Sequence, residues 1–417
     1  MSLKGRERVV ILGNGVAGNT ALEAIRSRDP SREIIMISEE PFPEYSACVL
    51  PHYVPGDLQR RRVFLKSSRD YPGVKARFGE RVREIDPVRG RVHLDRGSLL
   101  YDKLILAAGG EPIMPSVEGV PGPGVFPLKT LAHADRLARL KPKKVAVIGS
   151  GLIGVEAAVA LRKRGHHVSL ISRRWVLPRI LDLEVGRRAQ GILERNGIEV
   201  FAGKTVKGIL REGREVRGVL TEEVVPCDLV VMAIGTRPRI DLAQAAGIDI
   251  GPLGGLRVNE RMETNQPGVY ACGDCAEPVD PVTGSTGLQL RWFNARQMGR
   301  VAGLNAVGTT ARYRRKMAGV VLDLFGTAAG SVGGLRLDLK EDHLEILEVD
   351  DRDAYARVLV SGGVVKGAQF LGRTEEAGIL FSLIENGYPL KNLSEGLLPF
   401  PWYRRLGRYL ESTSRGN

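Results

Sequence analysis

The sequence predicts an α/β protein that carries one strand–helix–strand unit twice and ends in a smaller α+β domain. Three observations carry that prediction. The chain has 417 residues, enough for roughly three domains at about 150 residues each. Hydrophobic residues make up 43% and charged residues 26%, so a core can form and wholesale disorder is excluded. Residues 9–26 (VVILGNGVAGNTALEAIR) recur as residues 145–162 (VAVIGSGLIGVEAAVALR), sharing Val9/Val145, Gly13/Gly149, Gly15/Gly151, Gly18/Gly154, Ala21/Ala157, Ala24/Ala160 and Arg26/Arg162. The 51 glycines show no collagen-like period and read as tight turns and close backbone approaches.

Each copy opens with an apolar strand, turns through G-x-G-x-x-G, and continues as a helix rich in small residues. A second strand follows: Ile34-Ile35-Met36-Ile37 in the first copy, Val168-Ser169-Leu170-Ile171 in the second. The segments Leu104–Gly110 and Leu229–Gly235 read as short apolar strands ending in glycine, each closing one unit with Ala108 and Gly109, or Gly235, at its end. The Pro/Gly-rich stretch 112–127 reads as a linker. In such a turn the first glycine permits the corner, the second lets backbone approach a pyrophosphate, and the third lets helix pack on strand. The helix N-terminus then offers unpaired N–H groups and partial positive charge to the phosphates. Two Rossmann-like domains binding two dinucleotides are therefore expected, on Gly13, Gly15, Val16, Ala17 and Gly18 and on Gly149, Gly151, Leu152, Ile153 and Gly154.

With these motifs stands Thr264-Asn265-Gln266-Pro267-Gly268-Val269-Tyr270-Ala271-Cys272-Gly273-Asp274. Together they resemble the FAD-dependent pyridine nucleotide–disulfide oxidoreductases over about residues 1–308. The resemblance implies an FAD domain from residues 1–113 and 241–308, interrupted by an NAD(P) domain at 114–240 and followed by a C-terminal interface domain at 309–417 that makes a homodimer. It also implies that FAD takes the first glycine turn and the nicotinamide coenzyme the second, with Gly273 and Asp274 at the flavin's ribityl chain. The helical pattern at 290–308 is similar to the family helix that faces the flavin pyrimidine ring.

An acidic residue after the second strand hydrogen-bonds an adenosine ribose. Glu39 stands there in the first copy, with Glu40 as a substitute. The second copy instead reads Ser172-Arg173-Arg174, and guanidinium groups pair a 2′-phosphate bidentately, so NADP is expected over NAD. Glu156 matches the glutamate that relatives carry beside the nicotinamide.

Cys48 lies just past the second strand of the first copy, in Glu44-Tyr45-Ser46-Ala47-Cys48-Val49-Leu50-Pro51-His52-Tyr53. The stretch resembles the single-cysteine branch of the family (coenzyme A disulfide reductases, NADH oxidases and peroxidases), whose cysteine sits at the flavin. A short helix beginning at Cys48 would give its thiolate unpaired backbone N–H groups, and His52, four residues on, would share its face. Val16 replaces the histidine of peroxide-reducing relatives, which argues against a peroxidase. The same stretch also fits the Y-x-R-P-x-L-S-K frame of ferredoxin and rubredoxin reductases through Tyr45 and Leu50, in which Cys48 has no redox role. Electrons then go to a disulfide-type small molecule or oxygen through Cys48, or singly to a small redox protein.

The other cysteines, Cys227, Cys272 and Cys275, read as packing residues, and His166 and His167 as part of a solvated turn. No histidine or cysteine spacing suits a metal, and none is expected. The net charge of +13 can attract polyanions, but no basic run is interleaved with aromatics and aromatics are 6%, so nucleic acid is not an expected partner. No apolar run reaches the ~18 residues of a membrane span and no leader pattern opens the chain, so a cytoplasmic protein without membrane contact is expected. The last domain reads as strands at 344–349, 355–361 and 364–371 and a helix at 375–386 capped by Thr374, with Glu375 and Glu376 in its first turn. The segment 397–403 (LLPFPWY) matches no family pattern.

Overall fold

The computed structural model describes residues 7–279, 286–288, 290–314, 319–339, 343–351, 354–375 and 377–389. The segment 397–403 and Glu376 lie outside the described residues. The chain divides into two compact units, the first within 1–113, 129–131 and 236–316, the second within 114–128, 132–235 and 317–417.

The first unit is built on β1 (Arg8–Leu12), α1 (Val16–Arg28) and β2 (Glu33–Ser38). Its parallel sheet runs Val269–Ala271, Lys103–Leu106, β1, β2, Val74–Phe78. β1 is buried from Val9 through Leu12, as a central parallel strand covered on both faces must be. The helix Trp292–Ala306 lies along α1, and two glycines let the backbones touch. A Cβ on Gly299 would fall 2.2 Å from the Ala17 carbonyl oxygen, and one on Gly303 2.4 Å from that of Ala21.

The second unit repeats the pattern with β3 (Lys144–Ile148), α2 (Leu152–Lys163) and β4 (His167–Ser172). Its parallel sheet runs Ile198–Ala202, β4, β3, Leu229–Met232, Val125–Pro127. The 112–127 stretch is thus more than a linker: residues 125–127 supply this sheet's edge strand, because Val125 buries its side chain among Ala146, Val216 and Val230. The two sheets correspond strand for strand, but the first takes its edge strand from late in the chain and the second from just before its own copy.

The second unit also holds a five-stranded antiparallel sheet in the order Val320–Leu324, Thr327–Gly333, Val364–Gly372, Ala354–Ser361, Glu345–Asp351. The three expected strands are there to within two residues, joined at Gly362 and Gly363, whose φ angles of 56° and 70° make the tight hairpin. The following helix spans Ala377–Asn386 and so begins after Glu375, which instead accepts the Thr374 N–H at 3.0 Å; Thr374 does not sit at the helix start. A buried polar cluster joins this sheet to the helix Leu183–Arg195. Asp182 donates its N–H to Gln369 Oε1 and accepts from Gln369 Nε2, both at 2.7 Å, while Arg357 pairs with Glu184 at 2.7 Å and Glu348 at 2.9 Å. Every charge in the cluster has a partner, which is what makes its burial tolerable.

Candidate functional site

The two glycine turns have one geometry. Gly13 (φ 115°) and Gly149 (φ 107°) take left-handed corners that other residues rarely adopt. A Cβ there would lie 2.1 Å from the Ala107 oxygen or 2.4 Å from that of Ala233. Gly13 donates its N–H to Ile37 O and Gly149 to Ile171 O, each at 2.8 Å. The third glycines are as tightly placed: a Cβ on Gly18 would meet the Gly13 oxygen at 2.0 Å, and one on Gly154 the Gly149 oxygen at 1.8 Å.

The middle glycines differ. Gly15 and Gly151 have ordinary backbone (φ −82° and −73°), and a Cβ on either would meet nothing within 4 Å. Nothing among the described residues demands glycine at these two positions, and the open space leaves room for a ligand to approach the backbone. Both are N-caps of long helices with no side-chain cap and no acidic residue in the first turn, so the N–H groups that begin α1 (Val16, Ala17) and α2 (Leu152, Ile153) are available to an anion. The residues present therefore fit a dinucleotide pyrophosphate at each turn.

Around the first turn, Glu39 is exposed at the end of β2 and paired with Arg239 at 3.1 Å. Glu40 is not equivalent: it accepts the Tyr45 hydroxyl at 2.8 Å, and burial raises its carboxyl. Ala108 is exposed and Gly109 (φ 70°) follows it, just past the strand beside β1. Gly273 (φ 78°) turns against Ala17, its hypothetical Cβ 2.9 Å from that of Ala17, and sets Asp274 beside the same helix start. Asp274 is paired with Lys129 at 3.3 Å. Lys129 escaped the sequence reading because its partner is 145 residues away and no local pattern marks it. It sits on residues 129–131, which rejoin the first unit between two stretches of the second and are held there by the Leu131 N–H donated to Tyr45 Oη at 3.1 Å.

Around the second turn, the Ser172 hydroxyl is buried, sharing a 2.6 Å hydrogen bond with the Ser150 hydroxyl and accepting the Arg174 N–H at 3.3 Å. Arg173 and Arg174 are exposed at the end of β4, and Gly235 (φ 128°) lies exposed past the neighbouring strand. Glu156 is in the second turn of α2, and burial raises its carboxyl to about 7. A group poised there can hold or release a proton near neutrality.

Cys48 is exposed and not in a disulfide. The expected helix is two short pieces, Ala47–Val49 and Leu50–Tyr53, which end before Gly56 at φ 96°. So short a run has little helix dipole. His52 is exposed one turn after Cys48. What fixes this segment is pairing upstream: Ser46 N–H donates to Val63 O at 2.9 Å and Leu65 N–H to Glu44 O at 2.9 Å. A polar cluster then ties it to the first glycine turn. Tyr71 accepts the Glu44 N–H and donates to Asn14 Oδ1, while Lys66 reaches Asn19 at 3.1 Å and Glu44 at 3.5 Å.

Cys227, Cys272 and Cys275 are buried, and burial raises all three thiols, Cys227 and Cys275 to about 11. His166 is not solvated as expected. It is fully buried, with Nδ1 accepting the Lys143 N–H at 3.1 Å, because the turn folds back under β3; burial lowers its pKa. His167 is the exposed first residue of β4. Among the described residues no helix is long and apolar enough to cross a membrane.

Comparison with known proteins agrees with this geometry. Residues 7–299 match the family model described as pyridine nucleotide-disulphide oxidoreductase, and the chain belongs to that family. It is an FAD-dependent NAD(P)H oxidoreductase. It is 32% identical over 340 residues to an NADH oxidase of Methanocaldococcus jannaschii, covering 78% of this chain and 76% of that protein. It is 31% identical over 319 residues to a CoA-dependent NAD(P)H sulfur oxidoreductase of Pyrococcus furiosus, covering 73% and 71%. An NAD-dependent persulfide reductase from A. fulgidus superposes with a TM-score of 0.89 at 27% identity, covering 98% of this chain and 84% of that one. Of three longer relatives the chain spans 49%, 48% and 47%.

Proposed function

We propose that this chain is an NADPH-dependent flavoprotein reductase that delivers electrons through Cys48 to a sulfur acceptor of disulfide or persulfide type, coenzyme A disulfide and polysulfide included, or to oxygen. The observation that carries the reading is an exposed Cys48 on a segment tied to the first glycine turn through Glu44, Tyr71 and Asn14. The names of the relatives, an NADH oxidase, a CoA-dependent sulfur oxidoreductase and a persulfide reductase, support the same acceptors.

On this reading residues 1–113 and 241–308 hold FAD, 114–240 hold the coenzyme, and 309–417 serve a homodimer in the cytoplasm. Gly15 and the first turn of α1 take the flavin pyrophosphate, Glu39 its adenosine ribose, and Gly273 and Asp274, steadied by Lys129, its ribityl chain. Ala108 and Gly109 line the same edge. Gly151 and the first turn of α2 take the coenzyme pyrophosphate, Arg173 and Arg174 its 2′-phosphate, with Ser172 fixing their backbone and Gly235 opposite. Glu156 lies towards the nicotinamide, neutral or charged according to pH. Flavin held there would supply two-electron chemistry, with the reduced coenzyme as the hydride source. Cys48 as thiolate attacks one sulfur of the acceptor disulfide, forming a Cys48 mixed disulfide, while the other sulfur leaves as thiolate and takes a proton for which His52 is the nearest shuttle in sequence. The two electrons would then cleave the mixed disulfide, releasing the second thiol and restoring the Cys48 thiolate.

Anaerobic reductive titration of wild type and Cys48→Ser tests the proposal. Starting from protein oxidised by the acceptor disulfide, in which Cys48 is held as a mixed disulfide, two extra electron equivalents and then a long-wavelength thiolate–flavin band, both lost in the variant, are expected. Identical titrations would show that Cys48 takes no part, and would favour single-electron delivery to a small iron–sulfur protein in its place.

A further inference from the structure

The loop after β4 carries the two arginines proposed for the 2′-phosphate, and its construction gives work to a residue outside the motif. The Arg174 guanidinium lies over the Trp175 indole, its central carbon 4.2 Å from the ring centroid. That indole is itself immobilised. Its Nε1–H donates to Leu181 O at 2.8 Å, and the Trp175 carbonyl accepts the Ser150 hydroxyl at 2.9 Å. The ring fills a space that exists because residue 186 is glycine: a Cβ there would lie 2.4 Å from Trp175 Cδ1.

Ser150 is the residue between Gly149 and Gly151, so the loop is anchored inside the pyrophosphate turn. The Ser150 carbonyl accepts the Leu177 N–H at 2.8 Å, and Leu177 is fully buried with φ 58°. A branched residue keeps a left-handed backbone only where its surroundings hold it there, and such positions gather at ligand sites. Trp175 is therefore a fixed platform.

What the platform does follows from the chemistry of arginine. An exposed guanidinium loses rotamer freedom when it clamps a phosphate. One already held over an immobile aromatic face has given up most of that freedom, keeps the donors in its own plane available to a ligand, and is weakly hydrated. We infer that Trp175, held by Ser150 and accommodated by Gly186, is a specificity-determining positioning residue that presents Arg174 to the 2′-phosphate of NADPH. The inference rests on the reading of Arg173 and Arg174 as the 2′-phosphate site.

Calorimetric titration of the flavin-loaded protein with NADP+ and NAD+ tests it without turnover. Wild type should bind NADP+ about tenfold tighter than NAD+. Trp175→Leu should weaken NADP+ about fivefold and leave NAD+ within about twofold, whereas Trp175→Phe, which keeps an aromatic face but loses the Nε1–H bond to Leu181 O, should fall between Trp175→Leu and wild type. Arg174→Lys keeps the charge but loses the planar stack, and should weaken NADP+ as Trp175→Leu does. Trp175→Leu combined with Arg174→Ala should be no worse than Arg174→Ala alone, since both remove one device. Equal loss for both coenzymes in Trp175→Leu would make the indole merely structural. Full NADP+ affinity in Arg174→Lys would show that stacking is irrelevant. Either result overturns the inference while leaving the 2′-phosphate reading intact. A wild type with no NADP+ preference, unmoved by Arg173→Ala and Arg174→Ala, would instead remove the 2′-phosphate reading and the inference with it.

Discussion

Alanine at Gly15, or at Gly151, separates what the fold needs from what a ligand needs. A methyl group at either position meets nothing within 4 Å, and the backbone there is already of a kind that alanine adopts. Replacing glycine lowers the entropy of the unfolded chain, a gain of about 0.4–1 kcal/mol. Alanine is a poorer N-cap than glycine, a loss of similar size. The stability of the ligand-free Gly15→Ala protein should therefore stay within about 0.5 kcal/mol of wild type. The ligand sees a different change, because the methyl stands where the pyrophosphate must approach the backbone. Displacing it from one charge-assisted N–H contact costs about 1.5–3 kcal/mol, or roughly 10- to 100-fold in affinity.

Gly13→Ala is the control. Its Cβ would fall 2.1 Å from the Ala107 oxygen on a backbone at φ 115°, so the ligand-free protein should lose about 3 kcal/mol or more. Urea unfolding followed by far-ultraviolet circular dichroism gives the stability, and equilibrium dialysis against FAD gives the affinity. Gly151→Ala should reproduce the pattern for the nicotinamide coenzyme and leave flavin content unchanged. A Gly15→Ala protein that loses more than about 2 kcal/mol without ligand, or binds FAD as well as wild type, would refute the reasoning.

Glu156→Gln should change how stability responds to pH. Burial lifts the carboxyl from 4.5 to about 7, so the folded state holds a proton that the unfolded chain gives up; the resulting stability is full below pH 4.5 and is lost as pH rises through 7. Unfolding free energies from urea melts between about pH 4.5 and 8.5 should diverge between the two proteins by roughly 3 kcal/mol, and parallel curves would count against the shift. Gly303→Ala pushes a methyl to within 2.4 Å of the Ala21 oxygen and should cost about 1–3 kcal/mol in thermal unfolding, with weaker flavin retention because α1 is displaced. Gln369→Leu removes both 2.7 Å hydrogen bonds to Asp182, leaving its buried N–H without that acceptor while Arg336 N–H and Arg357 still hold the carboxylate, and should cost about 1–3 kcal/mol. Calorimetry should show the antiparallel sheet and the second glycine-turn fold melting together in wild type and as separable transitions in that variant.

The turns were legible in the sequence because their physics is local: four of the six fingerprint glycines are set by contacts with a carbonyl one strand or one turn away. Three strands of the antiparallel sheet and the hairpin at glycines 362 and 363 were legible, whereas Val320–Leu324 and Thr327–Gly333 were not read as strands. Lys129, the edge strand at 125–127 and the burial of His166 were not, because each depends on a partner brought close only by the completed sheet. A sequence window sees proline and glycine at 112–127 and reads a linker. It cannot see that Val125 has a core waiting for it. The helix spacing Gly299-x-x-x-Gly303 was a readable signal for close helix contact and was passed over among 51 glycines.

The two copies share a fingerprint but not a surrounding, and the difference bears on what each would hold. Ala17 and Ile153 occupy the same place in the repeat. Ala17 is 6% exposed, pressed by Gly273 and by Gly299 of the helix Trp292–Ala306, whereas Ile153 is 40% exposed. In the first copy a helix and a strand-end turn close over the start of α1, and only a residue as small as alanine fits beneath them. In the second the start of α2 stays open and tolerates a bulky side chain. A covered cradle slows release, because the cover must move before the ligand can leave, while an open one lets ligand exchange on each cycle. On the proposed assignment the covered copy keeps a prosthetic group through many turnovers and the open copy admits a coenzyme that must come and go. On that assignment the same phosphate chemistry would serve two residence times, set by one small residue and the glycines packed on it.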